Sequence, residues 1–300
     1  MQPLYRNFHF CVVISVLFVG SVCGEPIRLA TYNLNNYLVT DRYFDGKWRP
    51  SYPKPETEKT IIRTAIQQIS PDILAVQEMG PLPFLKEFKA DLKLEKVNYP
   101  YVIHMEGEDP VRHIAVLSKL APMEIIKHKD LDFNYRGHRE LVKRGMLEVS
   151  FKQPSGDVFK LFVVHLKSRR TNVKSDPKSL QFRTLEAEAC RNRIIERTVD
   201  MDVMDFIIAG DFNDHPESAP LRRFYKRGKL EIGSLLPASD SRGERWTHYY
   251  RKEAVYSLVD GFVVSKSLST KMKNGKGHIA EGPDLLHGSD HRMVYADLFK

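Results

Sequence analysis

Short apolar runs that end directly in polar residues recur along the whole chain, and this pattern constrains the fold more than any other feature. Runs of this kind, bounded by glycine, proline and polar residues, are typical of buried β-strands. The clearest lie at 27–34, 73–76, 159–165, 206–209, 258–264 and 293–299. The sequence therefore predicts a strand-rich fold with extensive buried sheet.

Helices are predicted between some of these runs. Apolar residues recur at the i, i+3, i+4, i+7 spacing of an amphipathic helix at Ile62, Ala65, Ile66 and Ile69. Pro71 ends this helix just before the run at 73–76. Strand, helix and strand in succession form an α/β unit near the start of the fold.

The middle of the chain lacks long helical patterns, which favours antiparallel or mixed strand pairing. Its strand-like runs lie at 101–105, 114–118, 123–127, 146–152 and 159–165. A longer helix is predicted at about 178–200, where Cys190 shares a stripe with Ala187 and Ile194 and is interpreted as a buried core residue. Together the segments predict a single domain over 25–300, with two sheets and outer helices.

Two long connections join these elements. Residues 37–56 are predicted to form an ordered loop that Tyr43, Phe44 and Trp48 pack down. Stacking of these rings on nucleic-acid bases is the alternative. Residues 130–144 are predicted to form a second loop, which is charged and bears aromatic residues.

The first 24 residues are predicted to be a secretory signal peptide. Arg6 lies in a short polar start, an apolar stretch runs from Cys11 to Val19, and small residues precede a cleavage site after Gly24. The stretch is too short to span a bilayer. The predicted location is secreted or periplasmic, with an uncleaved anchor or a membrane tether at Cys23 as alternatives.

Charge and cysteine content narrow the class of protein. The chain has 46 Lys or Arg and 38 Asp or Glu residues, and the predicted signal peptide contains one basic residue and no acidic one. The mature chain thus has a net charge of +7, which suits a polyanionic partner such as nucleic acid. Cys190 is the one cysteine outside 1–24, so we expect the exported domain to depend on its core rather than on a disulfide.

Polar residues that suit chemistry stand at the ends of the predicted strands. They are Asn33, Glu78, His165, Asp211 with Asn213, Asp260, and Asp290 with His291. Each alone has an ordinary structural explanation, such as a solvated residue or an Asx turn. Because ligand sites of α/β sheets gather at strand ends, the whole set predicts one active site.

The chemistry that these residues suggest is metal-assisted cleavage of a phosphate ester. Oxygen ligands without a thiol or a histidine cluster suit Mg²⁺, with Mn²⁺ or Ca²⁺ as alternatives. Glu78 is the strongest candidate for a metal ligand. We expect His291 to act as a general base or to bind the phosphate, with Asp260 orienting its ring.

Six motifs occur in a family-specific order, at 31–35 (TYNLN), 72–78 (DILAVQE), 164–168 (VHLKS), 210–214 (GDFND), 260–262 (DGF) and 288–291 (GSDH). The series resembles the endonuclease/exonuclease/phosphatase superfamily, which includes deoxyribonucleases, repair endonucleases, sphingomyelinases and inositol polyphosphate 5-phosphatases. The resemblance covers essentially the whole chain after the signal peptide. It implies a four-layer α/β/β/α sandwich of two mixed sheets flanked by helices, with the site across the top of both sheets.

The resemblance also implies the roles of the strand-end residues. It assigns the metal site to Glu78, Asn33 and Asp290, and catalysis to His165, Asp211, Asn213, Asp260 and His291. Asp211 would orient or deprotonate the attacking water, Asn213 would hold a phosphate oxygen, and His291 would contact the scissile phosphate. His165 matches the deoxyribonuclease and sphingomyelinase branches, because the repair branch carries a tyrosine there. Asn35 replaces the aspartate of the repair branch, so a second acidic metal ligand is not expected at that position.

The substrate is predicted from basic residues near the proposed site. Lys167, Arg169 and Arg170 follow His165, and Arg144 lies in the earlier charged loop. We interpret them as contacts to a nucleic-acid backbone, although charged runs are often solvated surface. The first prediction is a secreted nuclease. The alternative is a phosphodiesterase or phosphatase acting on a lipid head group or a small phosphorylated molecule, and no stable protein partner is predicted.

Overall fold

The computed structural model describes residues 26–299 except 273 and 283, so the predicted signal peptide at 1–24 lies outside the described residues. Within these ranges, no helix combines the length and the apolar character needed to cross a membrane. The helices are α1 Glu56–Ile69, α2 Leu82–Leu94, α3 Leu180–Arg197, α4 Ala219–Tyr225, α5 Lys266–Lys271 and α6 Leu285–Gly288. The strands are, in chain order, β1 Ile27–Tyr37, β2 Thr40–Phe44, β3 Lys47–Tyr52, β4 Ile73–Met79, β5 Tyr101–Met105, β6 His113–Ser118, β7 Glu124–His128, β8 Asp132–Tyr135, β9 His138–Leu141, β10 Met146–Lys152, β11 Val158–His165, β12 Phe206–Asp211, β13 Lys226–Arg227, β14 Leu230–Glu231, β15 Ser234–Leu235, β16 Ala238–Ser239, β17 His248–Tyr250, β18 Val255–Ser257, β19 Asp260–Val264, β20 Gly277–Ile279 and β21 Val294–Leu298.

Two mixed sheets form the centre of the fold. The first has the strand order β16-β20-β21-β1-β4-β6-β5, and the second has the order β15-β19-β12-β11-β10-β7. Most neighbouring strands are antiparallel, but three pairs are parallel, namely β1 with β4, β16 with β20, and β11 with β12. The predicted α/β class with two mixed sheets and flanking helices is thus confirmed.

Three apolar clusters show how the layers stack. One lies between the two sheets and includes Leu161 and Val163 of β11. A second joins the first sheet to α1 and α2. The third joins the second sheet to α3 and α4, and includes Phe162 and Val164 of the same strand. Because successive strand side chains point to opposite faces, β11 contributes to both cores, as expected of a strand in a four-layer α/β/β/α sandwich.

One parallel pair in each sheet, β1–β4 in the first and β11–β12 in the second, brings the functional strand ends together. In the first sheet, Asn33 lies beside Gln77, the residue before Glu78. In the second sheet, His165 lies beside Asp211, which lies beside Asp260 on β19. Strands β1 and β12 also contact each other across the inter-sheet core. The polar ends of strands from both sheets therefore meet at one edge of the sandwich.

Residues 37–56 differ from the predicted ordered loop, because most of them form the β2–β3 hairpin. Asp45 and Gly46 at its tip both have positive φ, at 53° and 74°. An Asp-Gly pair in this conformation forms the tight turn that matches the twist of a hairpin. The turn chemistry of these two residues therefore explains the strand pairing.

The expectation that aromatic rings pack this segment down is wrong for two of them. Tyr43 and Trp48 are 64% and 71% exposed, and their rings contact each other edge to face near the hairpin tip. Phe44 does pack, because its ring stacks on Tyr52 at 5.3 Å. The two-residue periodicity of the strands decides this difference, since side chains alternate between opposite faces of the ribbon.

Two further segments gain structure that the sequence did not predict. Helix α2 buries Leu85, Phe88 and Leu92 against the first sheet, a helical spacing that was missed. Residues 130–144 contain the β8–β9 hairpin rather than a loop alone. The prediction for Cys190 is confirmed, because this thiol lies on the buried face of α3.

Candidate active site

Asp211 lies at the centre of the strand-end residues. Its Oδ1 accepts a hydrogen bond from the Asn213 backbone N–H at 2.7 Å, and its Oδ2 accepts one from Asn33 Nδ2 at 2.9 Å. Burial and the neighbouring Asp260 raise the pKa of Asp211 to about 7. The carboxyl is therefore held in position by donors from both sheets.

Gly210 allows β12 to pair closely with β11, and this pairing places Asp211 in the site. Its φ is +149°, and a Cβ added there would lie 1.9 Å from the backbone oxygen of Val164 on the neighbouring strand. No side chain fits such a contact. The glycine before Asp211 is thus required by the close pairing of β11 and β12.

His291 and Asp260 form a buried ion pair. Nδ1 of His291 lies 2.8 Å from Asp260 Oδ2, and both residues are buried. Burial by itself would lower the pKa of His291, but Asp260, Asp211 and Asp290 together raise the pKa well above its usual value. Nε2 of His291 lies 3.9 Å from both Asp211 Oδ2 and Asp290 Oδ1. A protonated ring therefore faces the cleft with Asp260 behind it.

His165 provides a second imidazole of opposite character. It is buried, and its pKa is lowered well below the usual value by burial and by the charges of Arg144, His291 and Arg112. Its Nε2 lies 3.6 Å from Asp211 Oδ2 and 4.0 Å from Glu78 Oε1. The site thus pairs a neutral imidazole with a protonated one.

Glu78 lies near the end of β4 with a φ of +58°, a conformation that non-glycine residues adopt uncommonly. Its Oε2 accepts a hydrogen bond from the Asn36 backbone N–H at 2.9 Å and lies 3.9 Å from Nε of Arg112. Its Oε1 makes no closer polar contact in the described part of the chain than the one to His165. Glu78 therefore brings a carboxylate of the first sheet next to His165 of the second.

The oxygen donors of the predicted metal ligands are of the type that suits a hard divalent cation. Glu78 and Asp290 supply carboxylate oxygens, and Asn33 supplies an amide oxygen that the Asn35 backbone N–H holds at 2.9 Å. The thiol of Cys190 is buried in the core and is absent from this donor set.

Two groups of possible ligand atoms are close together in space. Ligand atoms of His248, Asp290 and His291 lie within 4.8 Å of one another, as do those of Asp211, Asp260 and His291. Glu78 belongs to neither triad, so the structure brings it to His165 and Asn36 rather than directly to Asp290.

Known proteins share both the sequence pattern and the fold of this chain. A sequence profile of the Endonuclease/Exonuclease/phosphatase family matches residues 30–291. The chain belongs to this family. Its members are hydrolytic phosphoesterases that depend on divalent metals, and the protein is a phosphoesterase of this superfamily.

Several solved structures share the fold of this family member. The human Nocturnin catalytic domain with bound sulfate anion aligns with a TM-score of 0.60 and 15% identity over 92% of this chain and 95% of that chain. Sphingomyelinase C from Streptomyces griseocarneus aligns with a TM-score of 0.58 and 15% identity over 91% and 99%. Humanized D. rerio TDP2 aligns with a TM-score of 0.59 and 15% identity over 92% and 100%. No curated protein sequence matches this chain significantly.

The predicted basic residues of this phosphoesterase have different surroundings. Lys167 directs Nζ to the backbone oxygens of Arg170 and Ser168, and Arg169 contacts the Asn213 backbone oxygen at 3.2 Å. Arg144 is buried and pairs with Asp109. A cavity of about 780 Å³ opens above the site, with the lining residues Ser168, Arg169, Arg170, Lys178, Asn213, His248, Tyr250, Lys252, Glu253, Val255, Ser257, Val259 and His291. Arg169 and Arg170 therefore line the cleft, whereas Lys167 and Arg144 do not.

Three residues of the site were missed by sequence reasoning. His248 Nε2 lies 3.7 Å from Asp290 Oδ2, and its ring contacts that of His291 at 4.6 Å. Arg112 reaches Glu78 from the start of β6. Glu186 of α3 is buried and accepts hydrogen bonds from the backbone N–H groups of two basic loops. For Glu186, the signal that could have been used is a charged residue next to the apolar helical stripe of Ala187 and Cys190, although it does not indicate the partners.

Proposed function

We propose that this family member is a divalent-metal-dependent phosphodiesterase that acts as a secreted nuclease. The observation that carries the proposal is the buried His291–Asp260 pair, whose ring faces Asp211 and shares a cleft with Asn213. A protonated imidazole and a carboxylate at one cleft suit attack of water on a phosphodiester. This geometry supports a separate role for each residue of the pair and its neighbours.

The contacts of each site residue support a specific role in the reaction. Asp211 orients the attacking water and accepts its proton, because its Oδ2 faces both imidazoles. His291 binds a phosphate oxygen as the cation that Asp260 stabilises. Asn213 contributes its amide beside them, and neutral His165 lies between Asp211 and Glu78. Together they stabilise charge that develops on the phosphate in the transition state.

Glu78, Asn33 and Asp290 would hold the divalent cation, for which Mg²⁺ is our first choice and Mn²⁺ or Ca²⁺ are alternatives. When bound, the ion supplies Lewis-acid stabilisation of charge on the phosphate. The oxygen-rich donor set supports this choice over a thiol-bound metal.

Nucleic acid is the substrate that the charge distribution favours. The basic surplus of the chain, the cationic side chains of Arg169 and Arg170 in the cleft, and the exposed rings of Tyr43 and Trp48 suit backbone phosphates and stacked bases.

A lipid head group is the second candidate substrate. Exposed aromatic and aliphatic side chains, which suit contact with a membrane surface, lie on two hairpins, at Tyr43, Trp48, Tyr250, Val255 and Tyr256. Similarity of fold to a sphingomyelinase C adds to this candidate. The two candidates predict different products, and both require the same catalytic residues.

A hydrolysis panel tests the proposal directly. Purified protein lacking residues 1–24 is assayed on plasmid DNA, RNA, sphingomyelin and a phosphomonoester, each with Mg²⁺ and with EDTA. We expect metal-dependent cleavage of DNA or RNA and little turnover of the other two. Cleavage of sphingomyelin alone would replace the nuclease by the second candidate, and turnover of none of the four would overturn both.

Export is proposed separately, from the sequence of residues 1–24. Expression of the full chain in a Gram-negative host should yield a mature protein that begins at Glu25 and lies outside the cytoplasm. Mass spectrometry of the intact protein checks the cleavage site. Retention of residues 1–24 would favour the uncleaved anchor, and a lipid adduct on Cys23 would favour the tether.

A further inference from the structure

A second cavity, of about 370 Å³, adjoins the catalytic cleft. Its lining residues are Glu108, Asp109, Pro110, Arg112, Lys143, Arg144, Lys167, Ser168 and Arg170. Ser168 and Arg170 also line the catalytic cavity, so the two cavities share a wall. Any ligand in the second cavity therefore lies next to the reacting phosphate.

Arg144 is the most unusual side chain of this cavity. It is only 6% exposed, and its Nη2 pairs with Asp109 at 3.0 Å. Within the part of the chain that the structure describes, its Nε and Nη1 are buried and have no hydrogen-bond partner. Buried donors of a charged group are rarely left without an acceptor, because the loss of solvation is costly. The free edge of this guanidinium indicates an anionic ligand.

Other cations crowd the same cavity. The ammonium of Lys167 contacts backbone oxygens, and its pKa is lowered by burial and then by repulsion from Arg144. Nε of Arg112 lies 3.9 Å from Oε2 of Glu78, which is a long separation for an ion pair. The two acids of the cavity are already engaged, since Glu108 binds Lys143 and Asp109 binds Arg144. Positive charge is thus in excess, which favours a bound anion.

The walls of the cavity are fixed before any ligand arrives. Both carboxylate oxygens of the buried Glu186 accept backbone N–H groups, one from Lys143 at 2.9 Å and the other from Lys167 at 2.6 Å. One side chain of α3 therefore holds the two loops that carry Arg144 and Lys167. Such preorganisation is expected of a binding site rather than of a solvated charged surface.

We propose that this cavity is a second phosphate subsite, which holds a phosphate adjacent to the scissile one in a nucleic-acid strand. The proposal rests on the proposed nuclease function and deepens it by naming the residues that bind the neighbouring phosphate. A strand presents phosphates at regular intervals, so one occupies the cleft while its neighbour reaches Arg144. A phosphocholine head group offers a single phosphate and a quaternary ammonium, which this cationic cavity repels.

Two variants separate the subsite from the catalytic cleft. Arg144→Lys keeps the charge that pairs with Asp109 but removes the guanidinium edge with its free donors. Lys143→Gln removes a cation that lines the second cavity but not the catalytic one. Arg139→Lys is the matched control, because Arg139 is exposed and pairs with Asp132 away from both cavities.

The kinetic test compares a short oligonucleotide with bis(4-nitrophenyl) phosphate, which contains one phosphate. We expect Arg144→Lys and Lys143→Gln to lower kcat/KM on the oligonucleotide about tenfold, as loss of a charge-assisted hydrogen bond does, and to leave the small diester within about twofold. Arg139→Lys should behave as wild type on both. Equal losses on both substrates, or no loss on either, would overturn the subsite while leaving the phosphodiesterase function standing.

A binding measurement keeps the subsite testable without turnover. Inorganic pyrophosphate is titrated into wild type and both variants by calorimetry in EDTA. We expect the affinity to fall at least about fivefold in each variant, and to depend steeply on salt in wild type. Unchanged pyrophosphate affinity in both variants would refute the subsite, whereas inactivity of wild type on both phosphodiesters would refute the proposed function instead.

Discussion

Asn33 and Asp211 lie 178 residues apart in the chain and are joined by a buried hydrogen bond of 2.9 Å from Asn33 Nδ2 to Asp211 Oδ2. Asn33 belongs to a strand of the first sheet, and Asp211 ends a strand of the second. This contact links the two halves of the sandwich at the point where the proposed chemistry takes place. The alignment of the active site therefore depends on how the sheets are packed.

Replacing Asn33 tests this link. We expect Asn33→Ala to lower kcat/KM at least about thirtyfold, because Asp211 loses a donor that orients it. Removing a buried hydrogen bond should also lower the free energy of unfolding by about 1–3 kcal/mol. Phosphodiester kinetics and urea denaturation measure the two effects. A variant with wild-type kinetics would show that the link serves stability alone.

His291 should be the most sensitive catalytic residue. His291→Ala removes the cation that is expected to meet the phosphate, so kcat should fall at least about hundredfold. Because the variant leaves space beside Asp260, added imidazole should restore part of the activity. Circular dichroism should show an unchanged fold. Activity close to wild type in the folded variant would exclude His291 from the reaction.

The Mg²⁺ requirement of the activity should depend on Glu78. EDTA is expected to abolish hydrolysis, and Mg²⁺ to restore it. Glu78→Gln keeps the shape of the side chain but removes its charge, so the Mg²⁺ concentration for half-maximal activity should rise at least about tenfold. Titration of activity against Mg²⁺ measures the shift. An unaltered Mg²⁺ requirement would remove Glu78 from the set of metal ligands.

Acid stability should depend on Glu148, whose carboxylate binds His128, Lys160 and Arg197 rather than residues of the proposed site. Burial alone would raise its pKa, but hydrogen bonds from His128, Arg197 and Lys160 outweigh burial and lower the pKa from 4.5 to about 2. A depressed pKa contributes stability that is fully present above about pH 4.5 and is lost as the pH falls through about 2. The contribution is on the order of 3 kcal/mol.

Glu148→Gln provides the comparison for this effect. The difference in unfolding free energy between wild type and Glu148→Gln should shrink as the pH is lowered from about 5 to about 2, because the wild-type carboxylate becomes protonated. Urea denaturation at several pH values measures it. A difference that stays constant over this range would contradict the depressed pKa.

Gly210 should tolerate no side chain. A Cβ at this position would overlap a backbone oxygen of Val164 on the paired strand, so Gly210→Ala must separate β11 from β12. We expect a loss of more than about 3 kcal/mol in unfolding free energy or a failure to fold. Gly282→Ala is the control, because its Cβ would make an ordinary contact of 3.4 Å with Leu285. Equal stability of both variants would contradict the predicted clash.

Much of the fold was predictable because it depends on local patterns. Apolar runs identify strands and the helical spacing around Ile62 identifies α1, since burial of one face is encoded in the periodicity of the side chains. The hairpin turn was not predicted. Asp45 and Gly46 specify a hairpin, yet the length of the segment favoured a loop, and the exposure of Tyr43 and Trp48 followed from that pairing.

The candidate site was also predictable only in part from the sequence. The sequence by itself determined which residues end the strands, because residues such as Asp211 and His291 directly adjoin apolar runs. Only the tertiary structure decided which side chains touch, that His165 is neutral beside a protonated His291, and that Arg144 is buried with free donors. The physical reason is that burial and electrostatic coupling depend on distances between strands far apart in the chain, and no local pattern encodes those distances.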